Sequence, residues 1–149
     1  MKGRIQVYKR DHINTDEIIP ARYLNCNDEK KLAKHIMEGL EAIKGDFIIA
    51  GWNFGCGSSR EHAIWALRGA GVRGVIAKSF SRIFYRNAIN NGFLVLNCPE
   101  IDDNLKTGEE IEINLKKGYF TIKGKRYHFS PFPPFLKKIL DKGGLLNTL

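Results

Sequence analysis

Long apolar runs are missing from this sequence. None of its 149 residues belongs to a hydrophobic stretch close to the roughly 18 residues that a membrane span needs. The opening residues, MKGRIQVYKRDHINTDE, show no apolar core of signal-peptide length. We therefore expect a soluble, cytoplasmic protein with no membrane partner.

Cysteine and histidine are scarce and scattered. The three cysteines, Cys26, Cys56 and Cys98, are odd in number and far apart, which fits neither a disulfide framework nor a paired zinc motif. The four histidines include no pair at the helical spacing of metal ligands. We expect three reduced thiols and no metal or cofactor held by this chain alone.

Positive charge is in excess, with a net charge of +8. Nucleic acid, a membrane surface or small anions would each suit such a surface, and so would a lysine-rich face that meets only water. The densest basic stretch, KKGYFTIKGKRYHF, alternates apolar and polar residues, which favours strands with charged outer faces. A basic domain that binds anions or nucleic acid remains the non-enzyme alternative.

Apolar patterning predicts one α/β domain over residues 1–149, with a mixed, barrel-like sheet. No repeat, linker or domain boundary interrupts the pattern. A helix over 29–38, capped by Asp28 and ended by Gly39, follows an irregular connection. The other predicted elements are strands at 4–8, 46–50, 72–77, 93–96, 110–115, 119–122 and 125–129, helices at 59–68 and 81–92, and a last helix within FPPFLKKILDKGGL.

The stretch GWNFGCGSSREHA, residues 51–63, joins a buried strand to a helix through a glycine loop. Glycines let a backbone approach a ligand closely, and a helix N-terminus presents unpaired amides. With Ser58 or Ser59 as the helix cap and Arg60 as a positive fork, the loop predicts an anion site. Glycines that serve only turns are the alternative. The loop matches neither the P-loop nor the G-x-S-x-G elbow of hydrolases.

The segment NFGCGSSREHA resembles the active-site loop of the aconitase superfamily, in the form found in small subunits of 3-isopropylmalate dehydratases. Three further segments, NTDEIIPARYL, SFSRIFYRNAINNG and FPPFLKKILDKGGL, resemble motifs of the same family in the same order. Four ordered motifs are far more specific than a glycine loop alone. The resemblance implies the family's swivelling domain, a layered β/β/α structure.

The resemblance also implies a hydro-lyase that interconverts 2-isopropylmalate and 3-isopropylmalate by dehydration and rehydration in leucine biosynthesis. A large subunit would carry a 4Fe–4S cluster, so the active protein would be a hetero-oligomer. In the family the catalytic base is a serine that falls on Ser58. Substrate contacts fall on Gly57, Ser59 and Arg60.

Other family positions match less tightly. Thr15 and Asp16 correspond to a Thr-Asp pair near the site, where Asp16 would orient an arginine or only cap a turn. Arg82 matches the family's Phe-x-Arg-Ile and would either line the site or, like Arg86, meet acidic groups at the subunit contact. Cys56 is expected to be a small packing residue.

The segment YLNC, residues 23–26, bears on the substrate. Relatives that act on homocitrate-type tricarboxylates have an arginine after Tyr-Leu, whereas this chain has Asn25. An uncharged amide leaves an extra carboxylate poorly paired, which favours 3-isopropylmalate over homoaconitate. The alternatives are homoaconitase, a methylated-malate or broad-specificity dehydratase, and an Asn25 that points only into solvent.

Overall fold

The computed structural model describes residues 1–58 and 60–131. The helix predicted within FPPFLKKILDKGGL therefore lies outside the described residues. A single turn of 3-10 helix covers Ala21–Tyr23. The other elements are β1 (Lys2–Val7), α1 (Thr15–Ile18), α2 (Glu29–Ala33), β2 (Phe47–Ala50), α3 (Glu61–Gly69), β3 (Gly74–Ala77), α4 (Arg82–Asn90), β4 (Leu94–Asn97), β5 (Glu110–Asn114), β6 (Tyr119–Ile122) and β7 (Lys125–His128).

The described strands form one mixed sheet in the order β4-β3-β2-β1-β5-β6-β7. Strands β1 to β4 run parallel to one another, and β5 to β7 continue the sheet antiparallel. Strand β1 serves both halves, because Ile5–Val7 pairs with β2 while Lys2–Arg4 pairs with β5. The predicted mixed α/β sheet is confirmed.

The centre of the parallel half, strands β2 and β3, is buried on both faces. Every residue of β2 and β3 is buried, which agrees with their uniformly apolar sequences. Helix α3 contributes Ala63, Ile64, Ala66 and Leu67 to the same core, and α4 contributes Phe84, Ala88 and Ile89. Apolar runs in the middle of the chain thus become a strand–helix–strand layer that supports the loops at its edge.

The antiparallel half alternates buried and exposed residues, as β5 shows most clearly. After β7 the chain returns to the far edge of the sheet, where the Ser130 amide donates to the Asn97 carbonyl at 2.8 Å. The sheet is therefore curled, as the barrel-like prediction required. Among the described residues, no helix is both long and apolar enough to cross a membrane.

The helix predicted over 29–38 is shorter than expected. Asp28 caps it as predicted, but α2 ends at Ala33 rather than at Gly39. The reason is tertiary, because the Met37 amide bonds to the Ile18 carbonyl at 2.9 Å and Met37 adopts a φ of 54°. That contact buries Met37 in the core while breaking the helical path.

Candidate active site

The carboxyl ends of three neighbouring parallel strands meet at one edge of the sheet. The segment after β2 is the glycine loop, and it lies between the segments that follow β1 and β3. In open α/β sheets the crevice beyond the carboxyl ends of the strands is the usual place for a ligand. The sheet therefore brings the loop of residues 51–60 to this edge.

Backbone hydrogen bonds fix the loop to the segment after β1. The Gly55 amide donates to the Ile13 carbonyl at 2.7 Å, and the Thr15 amide donates to the Cys56 carbonyl at 2.9 Å. The Thr15 hydroxyl then donates to the Ser58 carbonyl at 2.9 Å. Since Thr15 is buried, its side chain is a fixed support directly beneath Ser58.

On its other side the loop is held by the segment after β3. The Phe54 amide donates to the Ser79 carbonyl, and the Ser81 amide donates back to the Phe54 carbonyl, each at 3.0 Å. The Ser79 hydroxyl accepts from the Asn53 amide at 2.7 Å. The Ser81 hydroxyl donates to the Gly55 carbonyl at 2.8 Å and accepts from the Phe84 amide as the cap of α4.

Neither Ser79 nor Ser81 was singled out from the sequence as part of the site. The cap position of Ser81, just before a helical pattern, was visible there, but its contact with Gly55 depends on the pairing of β2 with β3. These two serines extend the site by a layer of side chains that shape the loop.

Two glycines give the loop its path. Gly55 has a φ of 81° and Gly57 a φ of 93°, a region that side chains with a Cβ rarely adopt. A Cβ on Gly55 would lie 2.2 Å from the Phe84 ring, so the loop also packs against α4 more closely than any other residue type allows. The glycines are required by the backbone here, whatever ligand the loop holds.

Ser58 lies at the end of this backbone with an exposed side chain. Its hydroxyl makes no hydrogen bond to the described parts of the chain, while its carbonyl is held by Thr15. The predicted cap role of Ser58 is wrong, because Arg60 occupies the N-cap of α3 and no side chain caps it. Helix α3 begins at Glu61, later than predicted, and Ser59 lies outside the described residues.

Arg60 is the charged residue of the loop, and it is largely enclosed, with 16% of its side chain exposed. Its Nη1 donates to Asp16 Oδ1 at 3.1 Å and lies 3.5 Å from the Ile19 carbonyl. Asp16 also accepts from the Ala21 amide at 3.0 Å, so it orients the arginine and caps a turn at once. The hydrogen bond from Arg60, followed by that from Ala21, holds the pKa of Asp16 below its ordinary value.

The remaining predicted site residues are not in direct contact with Ser58. Arg82 opens α4 next to Ser81, is exposed, and makes no ion pair with the described residues. Asn25 is exposed in the segment that follows the turn Ala21–Tyr23, and no hydrogen bond joins it to the described residues of the loop. Gly57, Ser58, Arg60, Thr15 and Asp16 are the predicted positions that the fold brings together.

The cysteines do not form a cluster. Cys98 is fully buried and Cys26 and Cys56 are partly buried, all three as free thiols. Within residues 1–58 and 60–131, no group of three or more histidine, cysteine or acidic side chains is arranged to hold a metal ion.

Known proteins resemble this chain along almost its whole length. A family model described as the aconitase C-terminal domain matches residues 1–101. The small subunit 2 of 3-isopropylmalate dehydratase from Deinococcus radiodurans is 53% identical, over 97% of this chain and 74% of that protein. The corresponding small subunit from Thermodesulfovibrio yellowstonii is 49% identical, over 99% of this chain and 92% of its own.

A solved structure agrees with the sequence relatives. The crystal structure of 3-isopropylmalate dehydratase from Methanocaldococcus jannaschii superposes with a TM-score of 0.84 at 43% identity, covering 98% of this chain and 90% of that one. The predicted family and layered fold are confirmed, and the relatives' designation as small subunits implies a larger partner chain. The chain belongs to the aconitase C-terminal domain family, among the small subunits of 3-isopropylmalate dehydratases.

Proposed function

We propose that this chain is the small subunit of a hydro-lyase that interconverts 2-isopropylmalate and 3-isopropylmalate in leucine biosynthesis. The observation that carries the proposal is the loop itself, in which an exposed Ser58 hydroxyl is followed by a largely enclosed Arg60 held by Asp16. Relatives about half identical to this chain bear the name of that enzyme's small subunit. The whole of residues 1–149 forms the single swivelling domain of this proposal.

Ser58 is the proposed base that removes a proton from the carbon next to a substrate carboxylate. A serine hydroxyl is a very weak base near neutral pH, so its alkoxide needs a positive environment. Arg60 supplies one full charge close by in sequence, and α3 begins directly after it with unpaired amides. Thr15 fixes the Ser58 backbone, which leaves the side chain free to meet the substrate.

Arg60 is the proposed carboxylate ligand. Its Nη1 is committed to Asp16 and Ile19, whereas Nη2 makes no hydrogen bond to the described residues. A guanidinium held at one nitrogen presents the other in a defined direction, which suits a carboxylate oxygen. Ser59 and the exposed Gly57 complete the substrate contacts of the proposal, with Asp16 and Thr15 as supports.

The iron–sulfur cluster of the proposal belongs to the large subunit. This placement agrees with the described residues, among which no group of three or more histidine, cysteine or acidic side chains is arranged to hold a metal ion and Cys98 is buried with its sulfur near the His128 carbonyl. When present on the partner, such a cluster would supply Lewis-acid polarisation of the leaving hydroxyl. We expect the assembly in the cytoplasm, where three free thiols remain reduced.

Arg82 is proposed to meet either the substrate or acidic groups of the large subunit. It begins α4, whose cap Ser81 contacts Gly55, so its place in the fold is close to the loop. An Arg82→Gln variant separates the two roles. A raised KM with unchanged subunit affinity supports a substrate contact, and weaker assembly at unchanged KM supports a subunit contact.

Asn25 is the proposed reason for a preference for 3-isopropylmalate over homoaconitate. Its exposed side chain makes no hydrogen bond to the described residues, so it is available to a ligand. Its amide carries no charge to pair with an extra carboxylate. A charge-assisted hydrogen bond is worth roughly 1.5–3 kcal/mol, or about 10- to 150-fold in rate. Asn25→Arg should shift the ratio of kcat/KM toward homoaconitate by that order.

Reconstitution tests the function directly. The purified chain should be folded, colourless and inactive, and should gain dehydratase activity when mixed anaerobically with a large iron–sulfur subunit. The assay compares kcat/KM on 3-isopropylmalate, a methylated malate and homoaconitate. Turnover by this chain alone would contradict the split-subunit proposal. A higher kcat/KM on homoaconitate or on the methylated malate would contradict the substrate assignment.

A further inference from the structure

A group of four side chains lies beside the segment that carries Asn25, outside the glycine loop of residues 51–60. Arg22 and Tyr23 belong to the turn Ala21–Tyr23, and His35 and Glu38 belong to the segment after α2. We call these four side chains the Glu38 cluster. No hydrogen bond, ion pair or ring contact joins them to the described residues of the glycine loop, although the charge of Arg22 acts on Asp16, the partner of Arg60.

Glu38 is the hub of this cluster. Its Oε1 accepts from the Tyr23 hydroxyl at 3.0 Å and lies 3.1 Å from His35 Nδ1, while its Oε2 accepts from Arg22 Nη2. The hydrogen bond from Tyr23 is the main cause that holds the pKa of Glu38 below its ordinary value. The hydrogen bond with His35 and the charge of Arg22 act in the same direction. Because these three partners lie on two chain segments, the Glu38 carboxylate links the turn Ala21–Tyr23 to the segment after α2.

Aromatic contacts also fix the orientation of the Tyr23 ring. The rings of Tyr23 and His35 are stacked, with centroids 4.0 Å apart and an interplanar angle of 8°. The Arg22 guanidinium lies 4.8 Å from the centroid of the Tyr23 ring. Tyr23 is therefore fixed at both its face and its hydroxyl, which restricts a side chain that would otherwise sample several rotamers.

Tyr23 also begins the turn that presents Asn25. The Cys26 amide donates to the Tyr23 carbonyl at 3.1 Å, which makes Leu24 and Asn25 the central pair of a four-residue turn. The backbone of Asn25 is therefore set by the position of Tyr23. Behind the cluster, the Met37 amide bonds to the Ile18 carbonyl, so the segment that carries Glu38 is anchored to the core.

We infer that Glu38 is a positioning residue for substrate selection: through Tyr23 it holds the turn of residues 23–26 and so fixes where Asn25 meets the substrate side chain. The inference rests on the proposed function and adds to it a residue that does not touch the substrate. Loss of Glu38 frees the turn, while the hydrogen bonds that Asp16 accepts from Arg60 and from the Ala21 amide are kept. Discrimination between side chains then falls, while proton abstraction is retained.

The test uses the reconstituted enzyme with Glu38→Ala and two malates that differ only in the side chain, 3-isopropylmalate and 3-methylmalate. A hydrophobic pocket distinguishes substrates by about 10- to 200-fold per methylene, so a loosened wall should cut the ratio of kcat/KM by about ten-fold. The change should appear in KM for 3-isopropylmalate, with kcat within about two-fold of the unmodified enzyme. Tyr23→Phe, which keeps the ring and removes the hydroxyl, should give part of the same change.

Glu29→Ala is the matched control. Glu29 is also a glutamate whose carboxylate accepts hydrogen bonds from an arginine, Arg68. Unlike Glu38, it makes no side-chain hydrogen bond to residues 20–26. It should leave the substrate ratio unchanged. Hydrogen exchange of residues 20–26 supplies a readout apart from activity, and it should accelerate in Glu38→Ala but not in Glu29→Ala.

The outcomes separate the inference from the function on which it rests. An unmodified enzyme that turns over neither malate overturns the proposed function, and the inference with it. An active enzyme whose substrate ratio is the same in Glu38→Ala overturns the inference alone. Equal losses on both substrates with unchanged exchange at residues 20–26 also overturn it, since the effect of Glu38 then does not act through the turn.

Discussion

The parallel and antiparallel halves of the sheet differ in what lies at the ends of their strands. Strands β1 to β3 end in the segments that hold the glycine loop, whereas the turns that join β5 to β7 make no hydrogen bond to the predicted site residues that the structure describes. The central parallel strands β2 and β3 are buried on both faces, whereas the antiparallel ones alternate. The proposed site therefore lies at the edge where parallel strands end together, and the rest of the sheet supplies core and curvature.

The sharpest test of this division compares two serines. Ser58→Ala in the loop should lower kcat of the reconstituted enzyme by on the order of 10²-fold or more, the scale of a lost acid–base group. Ser130→Ala, at an exposed serine just beyond β7, should leave kcat unchanged. Steady-state kinetics and circular dichroism of both variants decide it. A Ser58→Ala enzyme within a few-fold of the unmodified one would remove the proposed base.

Two arginines give the next largest contrast. Arg60→Lys should lower kcat/KM by about 10- to 150-fold, because one ammonium replaces a fork that holds Asp16 and, in the proposed function, a substrate carboxylate. Arg126→Lys on β7 removes only an exposed guanidinium that lies over the Tyr119 ring. Its kcat/KM should remain within two-fold. Comparable losses in both variants would mean that the loop arginine has no special part in binding.

Glycines sharpen the comparison in terms of stability. Gly55→Ala forces a Cβ into Phe84 at a positive φ, whereas Gly118→Ala meets open space at a φ of 76°. The second change should cost roughly 1–2 kcal/mol for the strained backbone alone. The first should add about 1–3 kcal/mol of overpacking. Chemical denaturation measures both, and equal costs would show that the loop yields easily to α4.

The smallest expected effect concerns two side chains that bond to the backbone. Ser81→Ala removes the cap of α4 and the bond to Gly55, and Asn114→Ala removes a bond to the Lys117 amide in the turn after β5. Each should lower the free energy of unfolding by about 1 kcal/mol. Only Ser81→Ala should also lower kcat/KM, by about ten-fold, since the loop then shifts. Equal kcat/KM in the two variants would deny Ser81 a positioning role.

The sequence predicted most of the elements because they depend on local patterns. Apolar runs located β2, β3 and β4, and the cap residues Asp28 and Ser81 stand at helix starts. The end of α2 was missed because it is decided by the Met37–Ile18 hydrogen bond, which no local pattern records. The position of the cap of α3 was missed for a similar reason, since Thr15 pulls the Ser58 carbonyl away from a helical path.

The site was predicted in part through family resemblance. The resemblance predicted that Asp16 orients an arginine, and Asp16 accepts a hydrogen bond from Arg60. The support from Ser79 and Ser81 and the Glu38 cluster join segments distant in the chain, so they required the fold. The roles of Ser58, Asn25 and Arg82 remain predictions that the variants above test.

The two flanking sets of backbone bonds on the glycine loop also bear on how this protein folds. Residues 54–56 are pinned to Ile13 and Thr15 on one side and to Ser79 and Ser81 on the other. Parallel pairings of this kind close long loops and form late. A folding intermediate that has paired β1 with β2 but has not docked β3 contains every residue of the loop without its shape. Activity of the refolded chain, assayed with the large subunit added, should then return no earlier than the pairing of β2 with β3.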